Sequence, residues 1–72
     1  MNILRSQYSI SLTRREREIL DLVALGNTDK LISKQLFISS NTVETHRRRL
    51  LQKFDVNNSC ALIYRACKVG LL

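Results

Sequence analysis

The stretch Ser39–Phe54, SSNTVETHRRRLLQKF, is a helix-length segment that is apolar along one side and strongly basic along the other. Val43, Leu50 and Phe54 recur at i, i+7 and i+11, which holds them on one stripe of a 3.6-residue helix. Glu44, Thr45, Arg48 and Gln52 fall on the opposite side. One face is suited to packing and the other to display, and Arg47, Arg48, Arg49 and Lys53 load the segment with positive charge.

The rest of the chain fits a small domain of that kind. At 72 residues it is near the lower size at which a hydrophobic core holds a fold without staples. Twelve Lys and Arg against six Asp and Glu leave a formal charge of +6, a balance that favours a polyanionic partner. No apolar run approaches the roughly 18 to 20 residues needed to span a bilayer. Met1–Gln7 also lacks the apolar region and small-residue cleavage site of a signal peptide. A cytoplasmic chain with no membrane partner is the expectation.

Cys60 and Cys67 are seven residues apart in a stretch that reads as helix. Their Cα atoms would then be about 10.5 Å apart, beyond the roughly 7 Å limit for an intrachain disulfide. With one histidine and no C-x-x-C, no metal site is expected. The cysteines are expected as buried or half-buried free thiols, an intersubunit bridge being the lesser alternative.

Working outward from Ser39–Phe54, the pattern is helical almost throughout, with no proline and two glycines. Residues 1–11 show no sustained period and read as an arm, with Ile3, Leu4, Tyr8 and Ile10 available for loose packing. A first helix opens at Thr13, where T-R-R-E sets Glu16 as the partner in a capping box and Leu12 as staple residue, and it stops at Gly26. Ile19, Leu20, Val23 and Ala24 form its apolar stripe. Thr28 caps a short second helix, Asp29 to Leu36, with Ile32 and Leu36 facing the core. Ser39 or Ser40 caps the third helix after a connection of three or four residues, the spacing of a helix-turn-helix. Asn57 or Asn58 caps a fourth helix that runs to about Val69 and ends on Gly70, with Leu62, Ala66 and Val69 inward.

The blocks L-T-x-R-E-x-E-I-L at Leu12–Leu20, the stop at Gly26, and T-V-E-T-H-R-R-R-L-L-Q-K-F at Thr42–Phe54 resemble the LuxR/FixJ-type helix-turn-helix family, in its GerE-like form. The resemblance covers residues 12–72, which makes 1–11 the arm and 12–72 the domain. It implies an all-α, four-helix domain that binds double-stranded DNA sequence-specifically and regulates transcription. Its third helix, about Ser40–Phe54, would be the recognition helix, and its fourth would mediate a homodimer. Residue by residue, it implies that Glu44, Thr45 and Arg48 contact bases and that Lys30, Thr42, Arg47, Arg49 and Lys53 contact or flank the backbone. It also implies no enzyme activity and no cofactor. Ser33 departs from the family pattern, standing where a small alanine is usual, and Ser59 replaces a usual arginine. The family usually attaches this domain to a sensor domain too large for the eleven residues before Leu12, so a free-standing regulator is expected, a fragment being the alternative.

Side-chain chemistry agrees in kind. Arg48 can fork onto guanine O6 and N7, Glu44 can accept from cytosine N4, and the Thr45 methyl can meet thymine. Glu44 has a second reading, an ion pair within its helix to Arg47 or Arg48. His46 has no Ser, Cys or carboxylate pair at a catalytic spacing and is expected to brace the helix. Of the fourth-helix residues left over by the core stripe, Ile63, Tyr64 and Cys67 are the expected dimer contacts. RNA binding is disfavoured by ungrouped aromatics, and a membrane role by an apolar stripe that the core requires. The principal rival is a protein-interaction module that pairs with a longer family member or with RNA polymerase.

Overall fold

The computed structural model describes residues 10–72. Ile3, Leu4 and Tyr8 of the expected arm lie outside the described residues. Four helices follow in order: α1 Arg14–Ala24, α2 Asp29–Leu36, α3 Ser40–Lys53 and α4 Ser59–Lys68.

Each helix begins where a side-chain oxygen accepts one of the backbone N–H groups that helix geometry leaves unpaired. Thr13 Oγ1 accepts from Glu16 N at 3.1 Å while Glu16 Oε1 accepts from Thr13 N at 3.0 Å, which closes the capping box. Thr28 accepts from Leu31 N at 3.2 Å, Ser39 from Thr42 N at 3.0 Å, and Asn58 Oδ1 from Ala61 N at 2.9 Å. Asn58→Ala is expected to cost about 1 kcal/mol, which for a domain of this size lowers Tm by about 4 to 8 °C in thermal unfolding followed by circular dichroism.

The helices also end alike, on a left-handed residue whose successor donates back into the last turn. Gly26 (φ 91°) and Gly70 (φ 80°) serve α1 and α4, and Asn27 N donates to Leu22 O and Leu71 N to Ala66 O. The other two are not glycine. Phe37 (φ 59°) closes α2, with Ile38 N bonded to Ser33 O, and Asp55 (φ 55°) closes α3, with Val56 N bonded to Leu51 O. A left-handed non-glycine residue is strained by about 1 to 2 kcal/mol, and the Phe37 ring gains no packing in return, being 93% exposed.

The core is one cluster: Ile19, Leu20 and Val23 of α1, Ile32 of α2, Val43 and Leu50 of α3, Phe54, and Leu62 and Ala66 of α4. Ile10, Leu12, Leu36, Ile38, Ile63 and Val69 pack around it. Burying a side chain the size of Leu50 or Phe54 is worth about 1.5 to 3 kcal/mol, so the stripe that identified α3 also fixes which way α3 faces. Ser33 is buried, and its hydroxyl is satisfied by donating to Lys30 O at 2.6 Å and accepting from Ser40 Oγ at 3.4 Å. The polar substitution at this tight contact thereby ties α2 to the start of α3.

Two expectations are corrected. Ala24 is exposed, because the buried stripe of α1 is Glu16, Ile19, Leu20 and Val23, at i, i+3, i+4 and i+7. Cys60 and Cys67 are free thiols but are both exposed, not buried. With Leu62 and Ala66 turned inward, helical phase carries both cysteines to the outer face of α4.

Candidate nucleic-acid interface

Seen from its sequence, α3 has three kinds of position: the inward stripe, the outward face, and the flanks between them. The outward face carries Asn41, Thr42, Glu44, Thr45, Arg48, Arg49 and Gln52, all exposed. Thr45 Oγ1 donates to Asn41 O at 3.0 Å, a local bond within the helix that leaves the Thr45 methyl as its free group. Arg48 Nη2 donates to Glu44 Oε2 at 2.9 Å, with 61% and 50% of the two side chains exposed. The within-helix ion pair considered for Glu44 is therefore formed, and its partner is Arg48.

The flanks behave differently. Arg47 follows Val43 by four residues and precedes Leu50 by three, so it lies on the edge of the inward stripe. Its guanidinium forks onto Asp29 at the start of α2, Nε to Oδ1 at 3.0 Å and Nη2 to Oδ2 at 2.9 Å. The bidentate geometry makes it the strongest type of side-chain pair and sets α2 against the middle of α3. Lys53, on the other flank, donates to Glu16 Oε1 at 2.6 Å and to Ser11 O at 2.8 Å, which ties the last turn of α3 to the first turn of α1. Both cations were expected among the backbone-contacting residues, and both are engaged inside the domain.

Glu16 is the residue that the sequence reading missed in this role. Only 3% of it is exposed. Burial by itself raises its carboxyl pKa, but the Lys53 hydrogen bond, the Thr13 backbone N–H and the Lys53 charge together hold it below the ordinary value. The signal was present in the sequence, since Glu16 is in phase with Ile19, Leu20 and Val23. His46 is half-buried on the Lys53 flank, and its Nδ1 is enclosed without a protein partner.

The ion pairs also redistribute the charge. Glu16, Glu18, Asp21, Asp29 and Glu44 each face a cation, which offsets most of the positive charge of α1 and of the flanks of α3. Among the described residues, Lys30 and Lys34 of α2, Arg49 of α3, and Arg65 and Lys68 of α4 enter no ion pair, so three of the five uncompensated cations stand on the two helices that flank the turn. Lys34 was not singled out from the sequence; its position one turn after Lys30 on the exposed side of α2 was the available signal. On α4, Ile63 is half-buried at the edge of the core, while Tyr64 and Cys67 are exposed. Lys68 Nζ stands 5.6 Å from the centre of the Tyr64 ring.

Two helices joined by the three-residue turn Phe37–Ser39, the second anchored on its inner side and polar and basic on its outer side, define a helix-turn-helix DNA-binding domain. Residues 10–66 match the family of bacterial regulatory proteins of the luxR type, and the chain belongs to that family. It is thus a DNA-binding domain of the luxR type, the kind that transcription regulators carry. The chain is 44% identical over 70 residues to the uncharacterized response regulatory protein YgeK of Escherichia coli K12, covering 94% of this chain and 48% of that one. It is 52% identical over 48 residues to the transcriptional regulatory protein LiaR of Bacillus subtilis, covering 67% and 23%. Over 61 residues it is 41% identical to the oxygen regulatory protein NreC of Staphylococcus carnosus, covering 85% and 28%. The chain spans less than half the length of these relatives. Among solved structures, it superposes on the response regulator ChrA of a heme-sensing two-component system with a TM-score of 0.83 at 35% identity, covering 86% of this chain and 31% of that one.

Proposed function

We propose that this domain reads double-stranded DNA in the major groove with α3, as a cytoplasmic homodimer on a two-fold related pair of half-sites. The observation that carries the reading is the division of labour along α3. Val43, Leu50, Phe54 and the Arg47 and Lys53 pairs immobilise one side, and Glu44, Thr45 and Arg48 stand exposed on the other. A rigid helix with a displayed polar face is what base readout requires.

Glu44, Thr45 and Arg48 are the base-reading residues in this proposal, and Lys30, Thr42 and Arg49 supply phosphate contacts. Arg47 and Lys53 act as positioning residues, because each would surrender an internal partner to reach a phosphate. Arg49→Ala is expected to weaken binding to all duplexes alike and to reduce the salt slope of log K by about 1, one phosphate contact's worth of released counterion. Titrations of matched and randomised duplexes at several salt concentrations test the whole reading. Site preference that survives salt supports it, and binding that shows no preference at any salt turns the assignment toward the protein-interaction rival.

The dimer surface is assigned to the outer face of α4, through Ile63, Tyr64 and Cys67. Tyr64 is 64% exposed and Cys67 is exposed beside it, which leaves this face of α4 open to a second copy. Alanine at both Ile63 and Tyr64 is expected to lower the sedimentation coefficient of the dilute protein under reducing conditions. Unchanged self-association removes that assignment.

A further inference from the structure

Cys60 belongs to no function described so far and Cys67 only to the dimer contact, yet both residues are exposed free cysteines. With Tyr64 they make a stripe at i, i+4 and i+7, about 140° to 200° around α4 from the buried Leu62 at 100° per residue. The stripe is the outer ridge of the helix to which the dimer contact is assigned. Its two thiols are too far apart to bridge within one chain, so any disulfide they form is to another molecule.

The register is informative. The midpoint between positions 60 and 67 falls between Ile63 and Tyr64, two of the residues assigned to the dimer contact. A two-fold axis through that midpoint, perpendicular to both helices, runs the two copies of α4 antiparallel. It brings Cys60 level with the partner's Cys67 and, by symmetry, makes the same pair again on the other side. Packed helices lie about 8 to 10 Å apart and each Cα is about 2.3 Å from its axis, so facing Cα atoms come within about 3.4 to 5.4 Å. A disulfide spans about 4.4 to 6.8 Å. At about 5 Å from a shallow crossing near 20° the axes diverge by only about 2 Å, which keeps the pair in reach. A bridge between two copies of Cys67 would instead put the axis at the last turn of α4 and move Tyr64 about 4.5 Å along the helix from the centre of the contact.

We infer that Cys60 and Cys67 form a pair of reciprocal intersubunit disulfides that lock the dimer under oxidising conditions. The inference rests on the dimer reading above. The oxidant is a low-molecular-weight disulfide such as oxidised glutathione. The thiolate of one cysteine attacks it, a protein–glutathione disulfide forms, and one glutathione leaves with the proton that the cysteine gave up. The facing cysteine then attacks the protein sulfur, the protein–protein disulfide forms, and the second glutathione leaves as a thiol. Each bridge consumes one oxidised glutathione and yields two reduced ones.

The test uses the full chain and its Cys60→Ser and Cys67→Ser variants, treated with oxidised glutathione and resolved on denaturing gels without reductant. Wild type is expected to run as a covalent dimer that dithiothreitol reverses, and each variant alone as a monomer. An equal mixture of the two variants is expected to recover the covalent dimer in about half of the assembled dimers, those that pair one of each kind. A single variant that cross-links as well as wild type overturns the reciprocal pairing. A mixture that fails to cross-link, or wild type that only acquires glutathione, overturns the bridge. Sedimentation of the reduced protein separates the two layers: a reduced dimer that does not cross-link overturns the inference alone, and a reduced monomer overturns the dimer reading beneath it.

Discussion

Arg48→Ala is expected to weaken binding to the preferred duplex on the order of 10- to 100-fold and to relax preference at one base pair, as loss of a bidentate base contact worth about 1 to 3 kcal/mol requires. The resting partner of Arg48 does not stand in the way. Its pair with Glu44 is largely exposed, and an exposed i, i+4 ion pair contributes only about 0.3 to 0.5 kcal/mol. The base contact therefore wins when a guanine is presented, and until then Glu44 holds the guanidinium extended along the outer face. Glu44→Ala is accordingly expected to raise affinity for unrelated duplexes, because it removes a carboxylate from a surface facing phosphates. Thermal unfolding of Arg48→Ala is expected to stay within about 0.5 kcal/mol of wild type, as for surface changes generally. Unchanged affinity and unchanged preference in the titration end the recognition-helix assignment.

Substitution of Glu16 is expected to act on the fold. Glu16→Ala removes half of the capping box and leaves Lys53 without its counter-charge. Loss of one partner from a buried pair costs about 3 to 5 kcal/mol; because Lys53 remains about one-third exposed, the expected loss is smaller, about 2 to 3 kcal/mol. Glu16→Gln keeps a capping-box side chain and loses only the charge, so it is expected to fall between the two. The pH dependence follows from the lowered carboxyl pKa in the folded state. A carboxyl that releases its proton more readily when folded stabilises the protein fully above the unfolded value of about 4.3, and that stabilisation is lost as pH falls through the folded value. The stability gap between wild type and Glu16→Gln is therefore expected to be constant near neutral pH and to close in acid. Denaturant titrations across that range measure it, and a gap that persists in strong acid would falsify the charge-based account.

Much of this domain was legible in its residues because the determinants are local. Thr13, Thr28, Ser39 and Asn58 are the observed caps, and Gly26 and Gly70 follow the ends of α1 and α4. Capping needs only a short side chain and three following residues. The stops of α2 at Phe37 and of α3 at Asp55 were readable as breaks in the pattern, but their left-handed backbone was not, because neither is glycine. The exposure of the cysteines was readable and was misread: phase relative to Leu62 and Ala66 turns them outward, and the general tendency of free cysteine to be buried outweighed it in the sequence reading.

The sequence by itself determined the helices, most of the inward stripe of each, and the family, since each of these depends on residues within a few turns of one another or on a motif read in order. It also determined which face of α3 is displayed, because one apolar stripe leaves only one opposite side. The tertiary structure alone decided what the flanks do. Arg47 meets Asp29 across 18 residues and Lys53 meets Glu16 across 37. Whether a flanking cation reaches toward DNA or clasps a neighbouring helix depends on how the helices pack against one another, and that is fixed by the shared core, not by any single helix's period.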